Sequence, residues 1–538
     1  MKLTVIKEKI EKWQSWLLAL ILAVAVLFRI VGADWGMPYG NLHPDEGLIY
    51  AQAYQNTLNH SFEVRDYYRP NHVTIKLNTL LYMGIQELYF APQGQEDFAL
   101  NYSEHFALFT TASRILIALF GVGTVVFAYL IARFLGRKQA LFATSLFAVF
   151  PSFIEHSHYI TPDIPLLFFL MGVLWAALCY QKKPTVSWLF WMSFFTALAF
   201  CEKYPGAYGC AMIAVAVIVK HYKEPFVIVK RGCQAIAFVG LGVLAVSPVL
   251  VIDYRTVLEV MAGQNKQYHL GADGLNFGET LLFYLKTTGV HAGLILTLSS
   301  LYGLWKAFRK EIGTAIILMS LFLYIVPISM LSIHWERYTL PLYAVVLLFG
   351  SHGAICLIED ISNLLKNNSI ATWVACGLFF LLPLAGQLGG AVATTGRFLA
   401  PDSRIALQQT FADMGVTDAN TVNDCNTPLD PGGFYGAFSE FDNADPATYK
   451  YGGNKRFVMT SSAQRDLFLT ADPEVYGGVA DFYRRLDENY PMIAYYPVEV
   501  PSAHFLEVSN MWYASRSIWR YMRGALTGYE IRVYQIRP

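Results

Sequence analysis

The sequence predicts a polytopic α-helical membrane protein of about 11 transmembrane helices, followed by a C-terminal extracytoplasmic α/β domain. Three observations predict it. Apolar residues (AVILMFWYC) are 55% of the 538-residue chain and charged residues only 15%, against about 25% charged in ordinary soluble domains. The apolar residues concentrate before about Arg397 and thin out after it. The connections between apolar runs alternate in charge. Lys plus Arg and Asp plus Glu number 40 each, so the net charge is zero. That balance excludes a nucleic-acid binder driven by bulk charge, and the apolar content excludes a disordered chain.

The chain opens with Lys2, Lys7, Lys9 and Lys12, then an apolar run from Trp16 to Ala33 that is long enough to span and is followed by a poor cleavage site. Later apolar runs lie near 108–135, 139–155, 163–180, 186–203, 205–219, 232–252, 286–306, 312–333, 338–357 and 371–395. With the N-terminus cytoplasmic, alternate connections carry Arg133, Arg137 and Lys138; Lys182 and Lys183; Lys220, Lys223, Lys230 and Arg231; and Lys306, Arg309 and Lys310. The opposite connections carry Asp45, Glu46, Glu155, Asp163, Asp253, Glu259 and Glu336. This is the positive-inside pattern. It weakens at Glu359, Asp360 and Lys366, and it puts the C-terminal domain outside.

The domains are therefore 1–396, membrane-embedded with a long first external loop at 34–107, and 397–538, soluble. Within the loop, stretches near 44–59 and 72–90 read as helices along the membrane surface. A second external connection, 253–285, carries Gly271-Ala272-Asp273-Gly274 and reads as a mobile loop. In the soluble domain Ser403–Met414 and Val479–Asn489 are helix-like. Arg456–Thr460, Met492–Tyr496 and Tyr529–Ile536 are strand candidates. The seven cysteines form no zinc spacing and leave the compartment open.

Polar residues that interrupt the apolar runs carry the chemistry. His43-Pro44-Asp45-Glu46 places two carboxylates directly after the first span, and His156-Ser157-His158 precedes Thr161-Pro162-Asp163 at a later one. Glu202-Lys203-Tyr204-Pro205 is wedged between two runs, and His334-Trp335-Glu336-Arg337-Tyr338 between two more. Arg114 sits near the start of another span. Taken singly, Asp45 and Asp163 also read as helix-start charges, the histidines as solvated interface residues, and Lys203 and Arg337 as snorkelling cations. Taken together, Asp45, Glu46, Asp163, Lys203 and Arg337 map to one membrane face. Each ionisable group inside a span costs about 2.5–3.5 kcal/mol, so several at one level imply a cavity. Cations there suit a lipid-linked phosphate, and a carboxylate suits proton removal from a hydroxyl or amine.

These motifs resemble the GT-C superfamily of membrane glycosyltransferases, in the branch of protein O-mannosyltransferases and lipid A aminoarabinose transferases. The resemblance rests on Asp45-Glu46, Ser113-Arg114-Ile115-Leu116, Thr161-Pro162-Asp163, Lys203-Tyr204 and His334-Trp335-Glu336-Arg337-Tyr338-Thr339-Leu340-Pro341, in that order, with Pro401-Asp402-Ser403-Arg404 opening the soluble domain. It implies an inverting hexosyl- or pentosyltransferase that uses a polyprenyl-phosphate sugar on the non-cytoplasmic side, with a glycan, lipid or protein as acceptor. Asp45 is then the expected base, with Glu46 and Asp163 completing the catalytic set. Lys203, Arg337 and Arg114 are the expected phosphate binders. His43, His158, Tyr204, His334, Glu336 and Tyr338 are expected around the pocket. The sequence departs from the family at Tyr68-Arg69-Pro70-Asn71-His72, a stretch expected to shape the pocket, so the sugar does not carry over by analogy. No cofactor is required, and a divalent metal is compatible with the resemblance.

The rival readings are a secondary transporter and a non-catalytic receptor. No inverted repeat is visible, and the charges lie at one surface rather than the midplane. No nucleic acid is expected as a partner; membrane lipid is. Asn59-His60-Ser61 and Asn101-Tyr102-Ser103 are external sequons. A bacterial plasma membrane is the expected location, since no eukaryotic retrieval signal ends the sequence.

Overall fold

The computed structural model describes residues 2–40, 42–67, 70–263, 272–366, 368–432, 445–446 and 455–537, with side chains from Gln14 onward. Up to Leu399 the chain is helical. Among the described residues, six helices are long and apolar enough to cross a membrane: Phe106–Ala132, Asp163–Lys182, Pro225–Val246, Ile312–Ser329, Glu336–Leu364 and Ser369–Leu399. A seventh is added if Phe277–Ala292 and Leu294–Lys310, bent by 108° at their junction, count as one span.

The expected count of about 11 is thus not confirmed by helix length among the described residues. The apolar run at 139–155 folds as Arg137–Val149, of 13 residues, and breaks at Pro151. Those at 186–203 and 205–219 give helices of 17 and 13 residues separated by a turn at Pro205-Gly206. Thirteen residues rise only about 20 Å, short of about 30 Å of hydrocarbon.

The core forms around two helices that are apolar on every side. Asp163–Lys182 is buried over most of its length, and in Glu336–Leu364 the stretch from Leu340 to Ile355 is continuously buried. Leu294–Lys310 lies tightly along the latter. A Cβ on Gly353 would fall 1.8 Å from the Ser299 carbonyl oxygen, and one on Gly303 would fall 2.1 Å from that of Phe349. Backbone contact of this kind needs the small residues found at membrane helix crossings.

In the connection 34–107, Glu46–Leu58 and His72–Ile85 pack against each other. The connection expected as a mobile loop at 253–285 contains the helix Tyr254–Gly263 and the start of Phe277–Ala292, with Asn276 and Glu279 forming a capping box. Residues 264–271, including Gly271, lie outside the described set, as do Tyr68 and Arg69.

The C-terminal region holds a mixed four-stranded sheet of β1 (Thr421–Asn423), β2 (Phe457–Ser461), β3 (Met492–Tyr496) and β4 (Ile531–Gln535), in the order β1-β2-β4-β3. β1 and β2 are parallel, and β4 is antiparallel to both β2 and β3. The helix Pro473–Asn489 turns Val479, Phe482, Tyr483 and Leu486 inward, into a core shared with Val458 and Tyr534. The expected helix at 403–414 forms as two short pieces, Ser403–Ala406 and Gln408–Asp413. β1 and the helix Glu507–Met522 were not expected.

Candidate active site

The site is built from four chain breaks. Asp45 is the residue before the helix Glu46–Leu58, but its side chain makes no capping bond. Its Oδ2 instead accepts a hydrogen bond from Arg337 Nη1 at 2.5 Å. Arg337 stands in a single turn, Glu336–Thr339, just before a long helix that starts with Pro341 near its N-terminus. Asp163 opens its own helix and accepts a bond from Lys203 Nζ on Oδ1 at 2.6 Å. Its other oxygen is buried without a hydrogen-bond partner.

Lys203 is held by its neighbours. It ends the helix Val186–Glu202 in extended conformation, and a short turn over Tyr204–Tyr208 follows. That turn folds back so closely that a Cβ on Gly206 would lie 2.2 Å from the Ala199 carbonyl. Glu202, fully buried, accepts Thr74 N–H at 2.9 Å, and its carbonyl accepts Asn71 N–H at 3.0 Å. This fastens the connection 34–107 beside Lys203. The Lys203 ammonium also lies 4.9 Å from the centre of the Tyr338 ring, within cation–π range.

Asp45, Asp163, Lys203 and Arg337 converge on one cavity of about 550 Å³, which Pro70, Asn71, Tyr204 and Tyr338 also line. The rest of its wall includes Tyr208, Tyr324, Pro327, Ile328, Leu331 and Ile333. A doubly paired polar end and an apolar wall suit an amphiphile whose anionic group sits between the two cations and whose chain follows the wall.

The other expected site residues fall elsewhere. Glu46 and Arg114 form a bidentate ion pair with both side chains fully buried, at 3.0 and 2.9 Å. Glu46 also accepts Ile160 N–H at 3.0 Å, and Arg114 donates to the carbonyls of Ala33 and Trp35. Neither lines the cavity. The Arg114 donors are committed to Glu46 and to the backbone just after the helix Lys2–Ile30, so the structure places Arg114 away from the cavity where it was expected to hold phosphate. Catalysis by Glu46 meets the same obstacle.

His43 accepts Asp45 N–H on Nδ1 at 3.2 Å and stacks on Tyr159 at 4.4 Å. Loss of hydration pushes its pKa down to about 4 against the pull of Asp45 and Glu46, so it is neutral at pH 7. His158 is buried against Phe398, with ring nitrogens on the carbonyls of Ile154 and Val31. His334 packs edge-on to Phe283. Glu336 turns away to His291 at 3.0 Å. None of these four lines the cavity.

Sequence reasoning missed the apolar wall, because Tyr324, Pro327 and Ile328 look like any span. It also missed the part played by Arg404. This residue is 3% exposed, is paired bidentately with Asp402 at 2.9 and 2.8 Å, and donates from Nη1 to the Leu42 carbonyl at 2.8 Å. The C-terminal region thereby holds the backbone three residues before Asp45. Among the described residues, no group of three or more His, Cys, Asp or Glu is placed to hold a metal ion.

Residues 107–252 match the family model described as dolichyl-phosphate-mannose-protein mannosyltransferase. The match spans Arg114, Asp163 and Lys203. No curated protein matches the chain. Among solved structures, ArnT from Cupriavidus metallidurans in the apo state is 16% identical, with 76% of this chain and 73% of that chain covered and a TM-score of 0.46. The Archaeoglobus fulgidus oligosaccharyltransferase in complex with Zn and sulfate is 12% identical, with 96% and 88% covered and a TM-score of 0.47. ArnT from Cupriavidus metallidurans bound to undecaprenyl phosphate is 14% identical, with 96% and 89% covered and a TM-score of 0.44.

Proposed function

We propose that this chain, whose segment 107–252 matches the dolichyl-phosphate-mannose-protein mannosyltransferase family, is an inverting glycosyltransferase that takes its sugar from a polyprenyl-phosphate donor on the non-cytoplasmic side of the membrane. One observation carries the reading. Two carboxylate–cation pairs, Asp45–Arg337 and Asp163–Lys203, meet at a cavity whose remaining wall is mostly apolar and aromatic. The donor named in the family's description has a matching build, with a charged phosphate between a sugar and an isoprenoid.

The chemistry follows from the pairs. The donor is a phosphodiester with one negative charge, and it enters a site whose own charges cancel. Its phosphate draws Arg337 and Lys203, which loosens Arg337 from Asp45. The freed Asp45 oxygen then faces the acceptor. The acceptor hydroxyl or amine attacks the anomeric carbon from the side opposite the phosphate. A new bond forms there while the carbon–oxygen bond to phosphate breaks. The acceptor proton passes to Asp45. The departing polyprenyl phosphate gains a second negative charge, which Lys203 and Arg337 stabilise. Asp163 keeps Lys203 in place, and its unpaired oxygen is available to position the acceptor.

The test uses the full-length protein with labelled polyprenyl-phosphate sugars, reading free polyprenyl phosphate and labelled acceptor together. Wild type is expected to release both in equal amounts. Asp45→Asn is expected to lose about 10²- to 10⁴-fold in rate while remaining folded. Full transfer by a folded Asp45→Asn protein overturns the base assignment. Transport of intact donor across sealed vesicles, with no bond broken, overturns the enzyme reading.

A further inference from the structure

The helix Glu507–Met522 is inside out for a soluble domain. Its buried positions are Glu507, Ala514 and Ser517. Val508, Trp512, Trp519 and Met522 are 65%, 69%, 53% and 81% exposed. Their spacings of four, seven and three residues place them on one stripe at 3.6 residues per turn. A helix on a domain in water turns such a stripe inward.

The helix also lies deep. Glu507 sits beside Gly386, Ala514 beside Gly389 and Tyr521 beside Gly396, so it runs parallel to the outer half of the last apolar helix, Ser369–Leu399. Glu507 Oε1 accepts Ile295 N–H at 2.6 Å, and the Phe505 carbonyl accepts Leu294 N–H at 2.7 Å. The first turn is therefore seated at the bend between Phe277–Ala292 and Leu294–Lys310. That position is about 20 Å of helix rise from Leu399. The apolar window of Ser369–Leu399 is only 17% buried, so the Trp stripe adjoins a surface that already faces lipid. Arginines flank the stripe on one side. Arg523 stacks over Trp519 at 3.9 Å, and Arg520 is paired with Glu499 at 2.5 Å.

We infer that Glu507–Met522 is a membrane-interface helix whose Trp512–Trp519 stripe is immersed in the leaflet on the C-terminal domain's side. Its partner is the bilayer itself: acyl chains against Val508, Trp512, Trp519 and Met522, and lipid phosphates at Arg523. Continuity with the exposed face of a membrane span favours lipid over a protein partner. So does the pairing of tryptophan with arginine, the composition of membrane–water boundaries. The domain then rests on the membrane by its own surface and is not merely tethered to it. The inference is independent of the reaction proposed above.

The test places a spin label at Ser515, an exposed residue within the stripe. Full-length S515C is reconstituted in phosphatidylcholine–phosphatidylglycerol nanodiscs, with the exposed Cys210 and Cys233 replaced by alanine and the signal read as the difference from that background. E488C, on the exposed side of Pro473–Asn489, serves as the aqueous control. The expected result is relaxation driven more by dissolved oxygen than by a water-soluble nickel chelate at position 515, and the reverse at 488. Greater nickel access at 515 overturns the inference. Shielding from both reagents also overturns it: with dipolar broadening between labels it assigns the stripe to a second copy, and without broadening to another protein surface.

Discussion

Arg337 and Asp45 are 292 residues apart in the chain and 2.5 Å apart in space. Neither the helix Lys2–Ile30 before Asp45 nor the helix after Arg337 requires the contact, so the pair exists because the fold brings two breaks together. Replacing Arg337 by Lys keeps the charge but loses the planar fork. Removing one charge-assisted hydrogen bond costs about 1.5–3 kcal/mol, so R337K is expected to lose about 10- to 150-fold in transfer rate. Steady-state kinetics of the purified variant check this, and an unchanged rate argues against phosphate contact by Arg337.

Lys203 faces both Asp163 and the Tyr338 ring. Lys203→Met is expected to weaken donor use by about 10- to 150-fold, from loss of the same kind of bond. Lys203→Met combined with Asp163→Asn removes the uncompensated carboxylate and is expected to recover thermal stability without recovering transfer. Equal recovery of both would assign the pair a purely structural part.

Glu46 and Arg114 are expected to behave in the opposite way. Removing one partner of a fully buried pair costs about 3–5 kcal/mol. Arg114→Met and Glu46→Gln should therefore lower the thermal midpoint and the yield of folded protein. Replacing both, as Glu46→Leu with Arg114→Met, should restore most of the loss. Donor binding measured on the folded double variant distinguishes the brace from a phosphate site: it is expected to be near wild type.

His43, beside the cavity, gives the fold a pH signature. Its folded pKa of about 4 lies below the ordinary 6.5, so the unfolded chain binds the extra proton first as pH falls. Its contribution to stability is complete above pH 6.5 and is lost as pH falls toward 4. His43→Asn should flatten that part of the stability profile, read as the thermal midpoint at stepped pH. An identical slope in wild type and variant would remove His43 from the account.

Arg404 acts at one remove, through the Leu42 carbonyl. Arg404→Gln is expected to lower kcat more than it raises KM, because donor groups stay while the Asp45 backbone loses its anchor. A charge swap with Asp402 should not rescue it, since the swapped pair places no donor at Leu42. A change confined to KM would instead place Arg404 on the substrate path.

Which charged residues meet at the cavity was largely legible in the sequence. A charge that interrupts an apolar run is conspicuous, and Asp45, Asp163, Lys203 and Arg337 were found that way. Their pairing was not legible, because spacing along the chain does not tell which cation meets which carboxylate. For that reason Glu46 and Arg114 looked like site residues when they are bonded to each other. The apolar wall carries no chemical mark that separates Ile328 from a lipid-facing isoleucine. The span count was obscured by proline and glycine, which divide continuous hydropathy into short helices at Pro151, Pro205 and Gly293. The helix Glu507–Met522 did carry a readable stripe, but its polarity is reversed relative to the domain that contains it.

The seat of Glu507 at the Gly293 bend has a practical corollary. A Cβ at Gly293 would fall 2.7 Å from the Glu507 carboxylate oxygen, so the two regions are fitted to each other like a key and its ward. A fragment stopping after Leu399 would leave that notch vacant and the Ile295 amide unsatisfied. Isolated expression of either half would therefore break a contact that both halves share.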